Sequence, residues 1–262
     1  MKTTSQTPVI VLAFSAHDPS GAAGVQADIE SIHHNGGRCV SIITALTAQN
    51  TGKFVAIVPQ SVADFRHQTR LLLADISIHA FKIGLIGSAA LVDEIADSLR
   101  KHPGLPVVLD PVLHAGTGTE LANTDIVSRL KQLLLPVTTV LTPNLKEALR
   151  LTGATDKDSA ATALLDLGCQ NVLITGTDQA TDRVINSLYR KGTQPIHFEW
   201  ERLPGIYHGS GCTLAAAIAA RLAQKPDVLE AVQQAQQYCW RTLQQGQQLG
   251  KSQLHPNRNP RA

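Results

Sequence analysis

The run His208-Gly209-Ser210-Gly211-Cys212-Thr213 brings together residue types suited to group transfer. It leads into Leu214-Ala215-Ala216-Ala217-Ile218-Ala219-Ala220, an apolar stretch rich in strong helix formers. A glycine turn that opens a helix presents backbone N–H groups at the positive end of the helix dipole. Gly209, Ser210 and Gly211 can therefore hold an anion without a charged side chain. Cys212, placed in that field, is expected as a thiolate, a base in the wall of an anion cradle, and that combination suits phosphoryl transfer. Alone, the stretch reads equally as a plain turn before a helix, with the cysteine as a small hydrophobe. It is not a P-loop, because no lysine follows the last glycine.

Four more polar clusters offer chemistry. In Ser15-Ala16-His17-Asp18-Pro19-Ser20-Gly21-Ala22-Ala23-Gly24, small residues let a ligand approach the backbone. Asp18 there either binds it or orders the turn before Pro19. Gln49 carries a donor and an acceptor that suit the edge of a heterocycle, or it is a surface turn residue. Asp110, before Pro111 and Val112, is a metal- or phosphate-side carboxylate or a turn cap. Asn144 is a good helix N-cap, and Glu147 three residues on has capping-box spacing; the functional alternative is Glu147 holding Mg²⁺ through water. The ten histidines show no ligand pattern, so no structural zinc site is expected.

The elements that must position these residues alternate. Strands are expected at 9–13, 40–44, 54–58, 77–83, 107–109, 138–141 and 171–175, with a hairpin over 184–200. Helices are expected at 24–35, 62–73, 89–101, 125–134, 145–151, 158–167, 212–223 and 227–249. Such alternation predicts an α/β fold, a mostly parallel central sheet with helices on both faces, and ligands at the carboxyl ends of the strands. The polar clusters fall after expected strands. A length of 262 residues fits one domain spanning 1–262, with a frayed tail over about 251–262. Aromatic residues are only 4% of a chain that is 43% hydrophobic, so aliphatic side chains must fill the core. A net charge of +2, with both signs mixed, excludes a nucleic-acid binder, and no apolar run reaches membrane-span length. The first eight residues lack a signal-peptide core, and the four cysteines lack CxxC pairing. A cytoplasmic protein with free thiols is expected.

Taken together, the chain resembles the ribokinase-like superfamily, and most closely its hydroxymethylpyrimidine/phosphomethylpyrimidine kinase family of thiamin biosynthesis. The stretches carrying the resemblance run, in the family's order, from Asp18–Asp28 through Thr44–Thr51, Lys82–Leu85, Asp110–Val112 and Thr142–Ala148 to His208–Thr213. The resemblance implies phosphoryl transfer from MgATP to a pyrimidine hydroxymethyl group and then to its monophosphate. It implies that Gln49 bonds the pyrimidine, with Asp18 on the same edge, and that Ala16, Leu85 and Val112 line its pocket. Glu147 with Asn144 would organise Mg²⁺ and the triphosphate, Asp110 being a second metal carboxylate. Gly209, Ser210 and Gly211 would surround the transferring phosphate, and Cys212 would be the base. A homodimer is also implied.

The chain departs from the family in three places. Gly21-Ala22 replaces a glycine pair, and Ser15-Ala16-His17 replaces Ala-Gly-Thr. Thr175-Gly176-Thr177-Asp178 stands where the family has Lys-Gly-Gly-His. Thr175 and Gly176 would then face the nucleotide without the family's cation, with Lys146 or Arg183 as candidates to compensate. Two other readings compete: a pyridoxal kinase, whose substrate is also a nitrogen heterocycle with a hydroxymethyl group, and a non-catalytic pyrimidine-binding regulator.

Overall fold

The computed structural model describes residues 8–260 except 115–117, 119, 178, 180, 225 and 226. Nine strands form one sheet: β1 (Val9–His17), β2 (Gly37–Gln49), β3 (Phe54–Pro59), β4 (Ala80–Ile83), β5 (Val107–Leu109), β6 (Val140–Leu141), β7 (Asn171–Ile174), β8 (Arg183–Arg190) and β9 (Ile196–Glu201). Their order is β3-β2-β1-β4-β5-β6-β7-β8-β9. The six strands from β2 through β7 in that order pair in parallel, and β3, β8 and β9 are antiparallel additions. The expected α/β architecture is therefore present. The chain winds from β1 outward to β2, then returns past β1 to β4. This reversal opens a crevice at the carboxyl ends of β1 and β4, where ligands of such sheets bind.

Period-two patterning divides the core. Leu12 and Phe14 of β1 pack with the helices on one face, while Val11 packs on the other. On the first face lie α2 (Val62–Asp75), α3 (Ala89–Arg100), α4 (Thr124–Arg129), α5 (Leu145–Thr152) and α6 (Lys157–Asp166); on the second lie α1 (Gly24–His34), α7 (Ser210–Ala223) and α8 (Val228–Gln244). α7 is the central helix of its face. Ala215, Ala216, Ala217, Ala219 and Ala220 are fully buried, and side chains this small let the helix lie close to the sheet.

The departures from sequence expectation are local. β2 runs five residues beyond Thr44 and pairs with β3, because Ala45–Gln49 continue the ladder. The expected helix over 125–134 is α4 followed by a π-helical turn, Leu130–Leu134. The expected frayed tail is instead packed: Gln253, His255 and Arg258 are all buried, and residues 247 and 254 bridge to neighbours. α8 stops at Gln244, well short of 249, to release this segment.

One buried ion pair ties the sheet to α1 beneath the crevice. Lys82 Nζ of β4 lies 2.8 Å from Asp28 Oδ1 of α1, and neither side chain has any exposure. Burial works against the Lys82 charge, but Asp28, Cys212 and Asp110 together outweigh it and raise the ammonium above the usual lysine range. Gly84 makes room for it, since a Cβ there would sit 2.6 Å from Nζ. Removing one partner strands the other in a dry interior. Lys82→Met is expected to lose about 3–5 kcal/mol of unfolding free energy, and Lys82→Met/Asp28→Leu to regain most of it. Urea denaturation midpoints of the three proteins check this.

Candidate active site

A cavity of about 270 Å³ sits at the carboxyl ends of the strands. β1 contributes Ser15, Ala16 and His17, followed by Asp18; β2 contributes Thr47 and Gln49. Leu85 follows β4, Asp110 and Val112 follow β5, and Asn144 and Glu147 follow β6. Thr175 and Thr177 follow β7, and Gly209, Ser210, Gly211 and Cys212 close the wall. Of the site residues expected from the sequence, Gly176 and the two candidate compensating cations, Lys146 and Arg183, are not in this wall. The Gly176 N–H donates to Asn186 Oδ1 at 3.0 Å, and a Cβ on Gly176 would lie 2.4 Å from Ile185 O, so it serves the packing of β8. A second cavity of about 460 Å³ adjoins the first and shares Thr175, Thr177, Tyr207, Ser210, Gly211 and Leu214 with it.

The anion turn has the form that the sequence suggests. Gly209 is the N-cap of α7 with φ 86°, and no side chain caps the helix. The first helical bond runs from Thr213 N–H to Gly209 O at 3.0 Å. The N–H groups before it therefore have no carbonyl within the helix to meet. Gly209 is obligatory twice over: its φ is left-handed, and a Cβ would fall 1.8 Å from Ala22 O. The turn and the loop between β1 and α1 are thus in backbone contact.

Cys212 departs from expectation. Burial pushes its thiol up to about 12, with Asp110 and Asp28 adding to the rise against the pull of Lys82. It is a neutral thiol, not a thiolate: desolvation outweighs the helix dipole. Asp110 and the Gly24 N–H lie beside it, and each acts on its titration or is acted on by it. Asp110 is itself 6% exposed and is raised to about 6, by burial first and by Asp28, although Lys82 and Cys212 lower it.

Asn144 and Glu147 form a complete capping box. Glu147 N–H donates to Asn144 Oδ1 at 2.9 Å, and Asn144 N–H to Glu147 Oε2 at 3.0 Å. Glu147 Oε1 also accepts from Leu113 N–H at 3.0 Å. These bonds hold the Glu147 carboxylate in the cavity wall. Among the described residues no cluster of three or more His, Cys, Asp or Glu could cage a metal. The donor set instead fits Mg²⁺ held by one or two carboxylates together with phosphate oxygens and water.

Gln49 is aimed by a short chain: its Nε2 donates to Thr47 Oγ1 at 2.9 Å, and Thr47 Oγ1 donates to His17 O at 2.9 Å. Its Oε1 and remaining N–H are left for a ligand. Val112 has φ 25°, an uncommon value for a β-branched residue, and lies on the opposite wall. Arg183 pairs with Glu199 at 3.2 Å and lines neither cavity, and Lys146 lines neither. Asp178 lies outside the described residues. Among the described residues no lysine or arginine lines the first cavity, and Arg202 is the one in the second.

Asp18 turns out to order its own loop. Its carboxylate accepts from Ser20 N–H and Ala23 N–H, both at 2.9 Å, and from Ser20 Oγ, and it meets His208 Nε2 at 2.9 Å. The His208 contact lies between distant segments, and nothing in the sequence signals it. Burial pushes Asp18 up, but His208 and the Ser20 bonds outweigh it and hold the carboxyl at about 2.

A nine-stranded, mostly parallel sheet with its crevice closed by an uncapped glycine turn defines a ribokinase-like kinase. Comparison with known proteins places the chain more narrowly. The model of the phosphomethylpyrimidine kinase family matches residues 18–257. A hydroxymethylpyrimidine/phosphomethylpyrimidine kinase of Streptomyces coelicolor is 36% identical, over 93% of this chain and 92% of that protein. The chain spans about half the length of two bifunctional thiamine-biosynthesis relatives that it also matches. Among solved structures, an ADP complex of Bacillus subtilis pyridoxal kinase superposes with a TM-score of 0.89 at 26% identity, over 97% of this chain and 98% of that one. Phosphomethylpyrimidine kinase of Clostridium difficile superposes with 0.76 at 30% identity, over 88% and 97%. The chain belongs to the phosphomethylpyrimidine kinase family.

The depressed Asp18 pKa carries a stability consequence. A carboxyl at 3.8 when unfolded and about 2 when folded stabilises the native state above pH 3.8, and that contribution is lost as pH falls through 2. Asp18→Asn is expected to cost about 2 kcal/mol at pH 7, with the gap from the parent closing between about pH 4 and 2. Denaturation of both proteins across that range measures it.

Proposed function

We propose that this chain transfers the γ-phosphoryl group of MgATP to the hydroxymethyl group of an aminopyrimidine, and then phosphorylates the resulting monophosphate. The observation that carries this reading is the uncapped turn Gly209–Gly211, which opens α7 into the same cavity as Cys212 and the aimed Gln49. Gln49 bonds the heterocycle through a donor and an acceptor, which complements a ring nitrogen beside an exocyclic amine. Ala16, Leu85 and Val112 enclose the ring. The nucleoside takes the adjoining cavity, with Thr175 and Asn144 beside its phosphates at the junction. Glu147 would hold Mg²⁺, which would offset charge on the triphosphate, and Asp110, expected as a second metal carboxylate, is assigned to the proton instead. The turn's N–H groups stabilise the charge that develops on the transferring phosphoryl oxygens.

The proton of the alcohol is the remaining problem. A neutral thiol cannot take it unless its own proton leaves. Asp110, ionised above about pH 6, lies beside the Cys212 thiol and is the base for its S–H proton. As the sulfur takes the alcohol proton, its own proton passes to Asp110. The second step attacks from a phosphate oxygen and needs no such help. Being carried by the resemblance alone, the homodimer is a further proposal. The directly paired Leu46 and Val58, 47% and 56% exposed, are a surface that pairing would cover, and sedimentation reads the mass. We place the protein in the cytoplasm, where its four free thiols stay reduced; no helix among the described residues is long and apolar enough to cross a membrane.

The second reading, a pyridoxal kinase, draws on the Bacillus subtilis likeness. Steady-state kinetics with MgATP on the pyrimidine alcohol, its monophosphate and pyridoxal separates the two. The pyrimidine alcohol is expected to have the larger kcat/KM; a preference for pyridoxal overturns the substrate assignment. In the same assays Cys212→Ala is expected to slow the alcohol step by about 10²–10⁴-fold while leaving the monophosphate step within about tenfold. Equal losses on both contradict the base role.

A further inference from the structure

Arg258 is a buried cation that none of the chemistry above employs. It is 5% exposed and belongs to the carboxy-terminal segment, which crosses three loops of the site. Gln253 N–H donates to Thr51 O at 3.0 Å, just beyond Gln49. Leu254 bridges to the segment before the anion turn: its N–H donates to Ile206 O at 2.8 Å, and its carbonyl accepts from His208 N–H at 2.9 Å. Tyr238 Oη of α8 then donates to Arg258 O at 2.8 Å and fixes the backbone at that residue.

The guanidinium reaches inward from this strap and bonds two loops whose neighbouring residues line the cavity. Nε donates to Thr213 Oγ1 at 2.9 Å, and Thr213 Oγ1 in turn donates to Gly209 O at 2.8 Å. Nη1 donates to Gly21 O at 3.2 Å and to Glu30 at 3.1 Å, and Nη2 donates to Ala22 O. A Cβ on Gly209 would lie 2.9 Å from Nη2. The planar fork thus lies behind the turn, on the side away from the cavity, and no other donor type could satisfy this set of acceptors in one plane. Its charge also matters, because no described lysine or arginine lines the first cavity.

We propose that Arg258 is a positioning residue for phosphoryl transfer. From the strap it locks the Gly21–Ala22 loop to the Gly209–Thr213 turn, aims the N–H groups of the turn and places a fixed positive charge behind them. This rests on the phosphoryl-transfer reading of the site. It touches no substrate; it acts through Thr213 and the backbone of the turn.

Arg258→Lys keeps the charge and loses the fork, and Thr213→Val breaks the chain to Gly209 while leaving the other acceptors of Arg258 in place. Both are expected to lower kcat by about tenfold or more on the alcohol and on the monophosphate, with KM for the pyrimidine changed less than about threefold. The double variant is expected to be no slower than Arg258→Lys, since both act on one chain of bonds. Arg258→Ala is expected to recover turnover with guanidinium at sub-denaturing concentration and not with equal sodium chloride. Folded variants whose kcat stays within about twofold of the parent, or additive losses in the double variant, overturn the proposal. If the Arg258 variants do not fold, Thr213→Val decides by the same kcat criterion. Amide hydrogen exchange over residues 206–214 is a readout independent of substrate. Faster exchange there in Arg258→Lys, with a parent that turns over nothing, overturns the functional reading and leaves the lock standing; unchanged exchange overturns the lock.

Discussion

The site depends on how closely two backbones can approach. The loop from β1 to α1 and the turn that opens α7 meet with no side chain between them. Gly209 sits where a Cβ would strike Ala22 O, and Gly24 where a Cβ would lie 2.3 Å from Ala16 O. Both have left-handed φ values, 86° and 62°. This contact brings the turn's N–H groups over the crevice at the strand ends. The alanine face of α7 serves the same end, since it seats the helix against the sheet. Larger side chains there would lift the turn away from Gln49 and Asp110.

Buried charged side chains are arranged around that contact. Lys82 with Asp28 lies beneath it, Asp18 next to His208 beside it, and Arg258 behind it. Each contacts a different segment of the chain and so acts as a tie. The cavity wall itself carries carboxylates and backbone donors but no described lysine or arginine. Such a wall favours a ligand that brings its own cation, as a nucleoside triphosphate does with Mg²⁺. Burial keeps Cys212 a neutral thiol, and the carboxylates beside it add to the same effect.

Much of this was legible in the sequence. Glycine before an alanine-rich run marked the turn, and Asn144 with Glu147 marked the cap. Strand–helix alternation placed most of the polar clusters on one edge. These signals are local, because they depend on residues close together in the chain. What could not be read is long-range. Asp28 with Lys82 is 54 residues apart, and Arg258 with Ala22 is 236. The polar, proline-containing stretch after Lys251 has the composition of a loose tail, and only its docking partners make it a strap. The protonation of Cys212 was missed for a related reason: the dipole of its helix is visible in the sequence, while the desolvation that outweighs it is set by the packing of distant elements. Gly176 was drawn towards the nucleotide by its neighbours in sequence, whereas the proximity of Ile185 dictates its place.

The central claim is that one cavity performs two successive phosphorylations of a pyrimidine alcohol. Phosphorus NMR of a single reaction containing the protein, MgATP and the alcohol follows both directly. A monophosphate ester resonance is expected to rise and then give way to a diphosphate ester, with ADP formed at each stage. ATP that persists unchanged beside the alcohol, or ADP that forms without either ester, would contradict it.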